Sequence, residues 1–162
     1  MPGRLRFLAD ANVGKLARWL RLMGYDTRFF AAGDDAELVV LALAEDRVVL
    51  TRDTLIMHRR VVKNGRLRAF LLHDDRPEIQ LRQVIATLGL NIRCCPFTLC
   101  LECNSVLVER NKAELQDLVP PFVYKIQEQF KQCPGCRRIY WRGTHWQAMM
   151  ERLAKLESTP TP

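Results

Sequence analysis

Along the first half of the chain, short apolar runs alternate with helical periods. Leu5 to Ala9 reads as a strand. Leu16, Trp19, Leu20 and Met23 then recur at i, i+3, i+4 and i+7, one face of a helix, with Gly24 at its C-terminal stop. Thr27 to Phe30 predicts a second strand. Ala36 to Glu45 predicts a helix with Leu38, Leu41 and Ala42 on one face and Asp34-Asp35 offering the N-cap. Arg47 to Thr51 is the clearest strand, apolar at successive positions, as in a strand covered on both faces. Leu55 to Lys63 predicts a helix closed by Asn64-Gly65, and Ala69 to Leu72 a fourth strand. Pro77 to Leu88 predicts a helix that opens on proline and stops at Gly89. Strand and helix alternate four times. That order predicts an α/β domain: a parallel sheet flanked by helices, with right-handed crossovers.

The pattern breaks near Cys94. Residues 96–143 hold two Cys-x-x-Cys pairs and Pro120-Pro121 but no long helical period. Thr144 to Leu156 predicts a final helix, followed by a frayed tail over Ser158 to Pro162. The expected division is therefore residues 1–93 and residues 94–162, a β-α domain followed by a small cysteine module and a C-terminal helix.

Composition narrows the class. With 48% hydrophobic and 27% charged residues in 162, the chain reads as globular. No apolar run approaches the ~20 residues of a membrane helix, so no membrane partner is expected. The N-terminus lacks the features of a signal peptide, and the cytoplasm is the expected location. The net charge is +7 and the pI about 9.4, which favours a polyanionic partner, nucleic acid first. Most of the excess sits in residues 1–93, which carry 16 Lys and Arg against 11 Asp and Glu.

Cys100 and Cys103, then Cys133 and Cys136, form two knuckle turns in which both sulfurs face one ion, Pro134-Gly135 giving the tight path. Four thiolates complete a closed tetrahedral zinc shell with no open position for catalysis; a redox dithiol or disulfide is the alternative. The 29 residues between Cys103 and Cys133 exceed a common zinc spacing, and an insertion over Asn111 to Pro121 accounts for that. Cys94 and Cys95 read as a buried pair of free thiols. Trp141, Arg142, His145 and Trp146 either pack the last helix against the core or stack on bases.

The acids of the first module fall at predicted strand ends. Asp10 follows the first strand, Asp34 and Asp35 open the second helix, and Asp53 lies just past the third strand. In a parallel sheet these meet on one rim, outside the carboxyl ends of the strands, where open α/β folds bind ligands. Taken singly, Asp35 reads as a helix cap and Asp53 as a turn residue. Converging carboxylates repel, and a hard cation such as Mg²⁺ or Mn²⁺ relieves that repulsion. Asn12 and Thr51 are placed to bind a ligand or orient a carboxylate. Lys15, Arg18 and Arg21 on the first helix, and Arg52, Arg59 and Arg60 near the third strand, are candidate phosphate contacts. Asp74-Asp75 is a further acidic pair on the same rim. No Ser-His-Asp arrangement, P-loop or dinucleotide glycine motif is present.

The stretch Phe7 to Asp26, the Asp35-Ala36 pair, Val49 to Asp53 and the four cysteines together resemble the mut-seven C-terminal RNase domain family, over roughly Arg4 to Met150. That family is a branch of the PIN-like nucleases. The resemblance implies a PIN-like domain followed by a four-cysteine zinc ribbon, and a metal-dependent endoribonuclease acting on RNA. It implies Asp10, Asp35 and Asp53 as the metal-binding acids. Many PIN domains carry a further acid on a middle helix; the segment from Phe30 to Asp34 leaves no room for it, and Asp34 and Glu37 are the candidates for that place. The other reading is a non-catalytic module docking on RNA, a ribonucleoprotein or a protein through the ribbon.

Overall fold

A computed structural model describes residues 4–158. Four short strands, β1 (Phe7–Ala9), β2 (Thr27–Phe29), β3 (Val48–Thr51) and β4 (Ala69–Leu71), form a parallel sheet in the order β2-β1-β3-β4. The expected parallel α/β sheet is therefore present. Each strand is one or two residues shorter than its apolar run.

The chain steps one way from β1 to β2 and back the other way from β2 to β3. Crossovers of constant hand then place successive helices on opposite faces. Helix α1 (Gly14–Leu22) packs with Phe7, Ala9, Val48 and Leu50 on one face. Helices α2 (Asp35–Glu45), α3 (Thr54–Met57) and α4 (Arg60–Lys63) cover Leu8 and Val49 on the other. The single helix expected over Leu55–Lys63 is thus two. Arg59 takes an extended conformation between them, so that Ile56 and the Val61-Val62 pair both reach the Leu8–Val49 face. Helix α5 (Pro77–Leu88) returns to the α1 face, where Leu81 and Val84 are fully buried.

Beyond α5, β5 (Val108–Arg110), β6 (Phe130–Gln132) and β7 (Ile139–Tyr140) make an antiparallel ribbon. The insertion between β5 and β6 spans 111–129, longer than expected, and includes the short helix α6 (Pro121–Ile126). It has a core of its own in Leu115, Val119 and Phe130. Helix α7 (Thr144–Ser158) returns to the first sheet and buries Met149 and Leu153 in the α1–α5 core. The tail from Thr159 onward lies outside the described residues. Among the described residues, no helix is long and apolar enough to cross a membrane.

The ribbon is tied to the α1–β2 turn. Gly24, at φ +86°, closes α1, and an added Cβ there would lie 2.1 Å from the Cys95 carbonyl oxygen. Gly24→Ala combines a left-handed backbone, costing ~1–2 kcal/mol, with a backbone clash that must move the loop leading into the ribbon. We expect a loss of about 3 kcal/mol or more in chemical denaturation, within the range for strained-backbone substitutions.

Asp26 is the polar counterpart of this joint. Its carboxylate accepts from Arg47 Nη1 at 2.7 Å and from Asn104 Nδ2 at 2.6 Å, with Arg6 3.5 Å away. Partial burial works against ionisation, but the Arg47 and Asn104 hydrogen bonds and the two guanidinium charges outweigh it, and the acid is held below its usual range. A lowered folded pKa stabilises above the unfolded value near 3.8 and is lost as pH falls through the folded value. Asp26→Asn should therefore be less stable than the native chain at neutral pH, with the difference closing below about pH 4. Thermal melts of both proteins between pH 7 and pH 3 check this.

Candidate functional site

The two knuckles have the same backbone geometry. In the first, Asn104 N–H donates to Cys100 O at 3.0 Å and Cys100 N–H to Ser105 O at 2.8 Å. In the second, Arg137 N–H donates to Cys133 O at 3.0 Å and Cys133 N–H to Arg138 O at 2.9 Å. The residue after each second cysteine is left-handed, Asn104 at φ +70° and Arg137 at φ +67°. This winding brings the four sulfurs within 4.8 Å of one another. Cys100 and Cys136 lie 3.5 Å apart, and Cys103 and Cys133 3.2 Å. These gaps exclude disulfides, whose sulfurs are ~2.05 Å apart. They approach the ~3.8 Å edge of a tetrahedron built on ~2.3 Å zinc–sulfur bonds.

The surroundings also suit a metal centre. Cys136 N–H donates to Cys133 Sγ at 3.3 Å. The Tyr140 hydroxyl accepts from Leu101 N–H and lies 3.1 Å from Cys100 Sγ, which leaves its own proton for that sulfur. Burial and the neighbouring Cys100 sulfur raise the Tyr140 pKa, keeping it a donor. Around Cys103, burial is outweighed by hydrogen bonding with Ser105 and with the Cys133 and Cys100 sulfurs, and the thiol is held down at about 6. The four-cysteine set thus fits a closed structural zinc site with donors already aimed at its sulfurs.

This centre is bonded to the first module. Arg21, expected on an RNA-facing surface, is instead buried. Its Nε donates to Thr27 O at 2.9 Å and its Nη1 to Leu101 O at 2.8 Å. Asn104 Oδ1 accepts from Thr27 N–H at 2.9 Å. Nothing in the spacing of Arg21 distinguishes it from Arg18. The left-handed position after Cys103 is the signal that marks Asn104 as structural, since asparagine tolerates that conformation.

The acidic rim lies at the other end of the sheet. After β1 the chain enters α1 on one face, and after β3 it enters α3 on the other. The adjacent strands β1 and β3 therefore part at their carboxyl ends, the place where open α/β sheets form a ligand crevice. Asp10, Asn12, Thr51, Arg52 and Asp53 line this opening. Thr51 is fully buried, and its hydroxyl donates to Asp10 Oδ2 at 2.7 Å while accepting from Asp53 N–H at 3.0 Å. Asp10 Oδ1 accepts from Ala11 N–H and Asp53 Oδ1 from Leu55 N–H, both at 2.8 Å. Asn12 Oδ1 accepts from Arg52 N–H at 3.3 Å, joining the two loops. Each carboxylate keeps lone pairs beyond those engaged in these bonds. Asp53 is thus both a cap of α3 and a member of the Thr51-linked set.

Asp34 is occupied locally. Its Oδ1 accepts from Glu37 N–H at 2.8 Å and Glu37 Oε2 accepts from Asp34 N–H at 2.9 Å, a complete capping box. Asp35, the first residue of α2, makes no such bond and is half-buried. Among the described residues, the four cysteines are the group of three or more potential ligands whose donor atoms all lie within 4.8 Å of one another; Asp10, Asp35 and Asp53 are spread more widely. Asp74 is paired with Arg76 at 2.7 Å, which holds its carboxyl well below the usual range.

Of the cations, Lys15 and Arg52 are exposed with no ion-pair partner among the described residues, whereas Arg18 pairs with Glu102 at 2.6 Å. The aromatics of the ribbon pack: Trp141 lies edge-on to Phe130, and Trp146 edge-on to Phe97 with Arg142 over both rings of that second pair. Cys94 is exposed and Cys95 half-buried, contrary to the expected buried pair; Cys95 takes a hydrogen bond from Arg4 Nη1 at 3.2 Å in the groove beside Gly24.

Neither the curated proteins nor the solved structures contain a significant match. The family model described as Mut7-C RNAse domain matches residues 5–153, spanning both the rim and the four cysteines. The chain belongs to the Mut7-C RNAse domain family.

Proposed function

We propose that the chain is a metal-dependent ribonuclease whose chemistry is carried by Asp10, Asp53 and Asp35, with a structural zinc in the four-cysteine ribbon. The observation that supports it best is the Thr51 hydroxyl, buried between Asp10 and Asp53 at the opening of β1 and β3. A buried hydroxyl that fixes two acidic residues at the ends of neighbouring strands is a positioning device. It leaves both side chains with lone pairs free for a hard cation.

Mg²⁺ or Mn²⁺ bound there would stabilise charge on a phosphodiester and lower the pKa of a bound water. The chain's own residues do the rest. Asp10 and Asp53 present oxygens oriented by main-chain N–H groups. Asn12 and Arg52 hold the two loops in register. Lys15 and Arg52 place positive charge beside the rim, where the RNA backbone is drawn in. Asp35 supplies a third carboxylate from the start of α2, where it also complements the helix dipole.

The deciding measurement is cleavage of labelled RNA with and without Mg²⁺ or Mn²⁺, native chain against Asp10→Asn. Turnover that survives the substitution would reject the site. A second reading, a non-catalytic RNA-binding module, is favoured by one observation: Asp10, Asp35 and Asp53 do not close into a tight ligand group. Salt-sensitive RNA binding without turnover in any divalent metal would select it.

A further inference from the structure

Two neighbouring cavities on the ribbon share a wall and together form a groove-like surface. The larger, of about 620 Å³, and its neighbour of about 340 Å³ share Arg18, Ile139, Tyr140 and Trp141 as walls. One end is bounded by Arg137 and Arg138, the other by His145 and Trp146 at the start of α7. Glu102, the acid of the groove, is neutralised by Arg18. Arg137 and Arg138 are exposed, and neither guanidinium has a partner among the described residues.

Two details set these residues apart from an ordinary solvated surface. Arg137 holds a left-handed backbone at φ +67°. Its counterpart in the other knuckle, Asn104, uses its side chain to bond the first module. The knuckle turn sets the same backbone at Arg137, but its side chain has no internal partner among the described residues and is left facing the groove. The Trp141 indole is seated over Gly143: a Cβ there would lie 2.8 Å from its Nε1. Trp141, half-buried and edge-on to Phe130, thus lines the same cavity as the unpaired cations; an aromatic with nearby cations is the combination that holds single-stranded nucleic acid by stacking and phosphate contact.

We infer that the groove walled by Trp141, Tyr140 and Arg18 and flanked by Arg137 and Arg138 binds single-stranded RNA and leads it toward the acidic rim. This rests on the nuclease reading for its substrate, but its geometry is separate. Arg18 stands four residues past Gly14, about 6 Å along α1 from the end beside Asp10. A strand leaving the groove at Arg18 passes Lys15 next. Arg137 and Arg138 follow Cys136 directly, so the knuckle sets their position.

The test uses the full zinc-loaded chain in an Asp10→Asn background, without divalent cation, binding a fluorescein-labelled oligouridylate at several salt concentrations. The double substitution Arg137→Gln with Arg138→Gln should weaken binding about tenfold. It should also lower the slope of log affinity against log salt by about 1.4, two phosphates at ~0.7 each. Trp141→Leu should weaken binding about tenfold with the slope unchanged. Zinc content and melting confirm that each variant is folded, and the exposed arginine pair remains decisive if the tryptophan variant is not. Unchanged affinity and slope in the arginine double variant would overturn the inference. Displacement of the oligonucleotide by polyglutamate at equal charge would overturn it in favour of an acidic protein partner. If the native chain never cleaves but the groove variants lose binding, the nuclease reading fails and the groove stands. If the native chain cleaves and the groove variants bind normally, the groove fails and the nuclease stands.

Discussion

Stripping zinc is expected to melt the first module together with the ribbon. Structural zinc supplies an apparent ~10–16 kcal/mol in small domains, comparable to or greater than the ~5–15 kcal/mol that holds an ordinary domain together. The ribbon's own cores are small, three buried side chains each, so the knuckles have little else to hold them. Their loss does not stop at the ribbon. Arg21 would lose its acceptor at Leu101, leaving a buried guanidinium part-satisfied, and Thr27 and Asp26 would lose Asn104. A buried charge that loses a partner is costly. We expect the midpoint of a far-ultraviolet thermal melt to fall by about 10 °C or more on chelation, since each kcal/mol is worth about 2–4 °C at this size. Cys133→Ser should do the same, whereas Cys94→Ser, at an exposed position outside the cluster, should not. Zinc release that left the sheet's melting unmoved would show the two modules to be independent.

The second large effect is on cleavage. Asp10→Asn keeps the shape of the side chain but removes its charge. Several kcal/mol of charge stabilisation correspond to roughly 10²–10⁴ in rate. A fall of that size is expected, with an unchanged melt. Asp53→Asn should behave alike, because asparagine still caps α3. Asp34→Asn is expected to change the rate by no more than a few fold, because its carboxylate is engaged in the capping box and asparagine caps as well. Equal losses at Asp34 and Asp10 would mean that the Asp34 carboxylate belongs to the site and is not only the cap of α2.

Elements with a strong period are legible in the sequence. The α1 stripe, the apolar run before Thr51 and the stop at Gly24 all carry local physics. The four cysteines are legible because their spacing fixes a turn. The break at Arg59 is not, since it is set by the need of Ile56 and Val61-Val62 to reach one sheet face. In the sequence Arg21 looks like a surface cation and Asn104 like a loop residue. The bonds that tie them together run between modules far apart in the chain, and no local pattern encodes such a contact. Of the acidic rim, the strand-end positions of Asp10 and Asp53 can be read, but the linking role of the Thr51 hydroxyl depends on strand register.

Helix α7 gives the chain an order of assembly. Met149 and Leu153 complete the core face of α1 and α5, yet they are made after the whole ribbon. During synthesis the N-terminal sheet emerges first, with the α1–α5 face still open to water. Closure of that face waits on α7, which supplies Met149 and Leu153 to it. The acidic rim is therefore among the first parts of the chain to be synthesised and among the last to rest on a finished core, so that a chain cut before α7 would carry the acids on a sheet whose α1–α5 face is left uncovered.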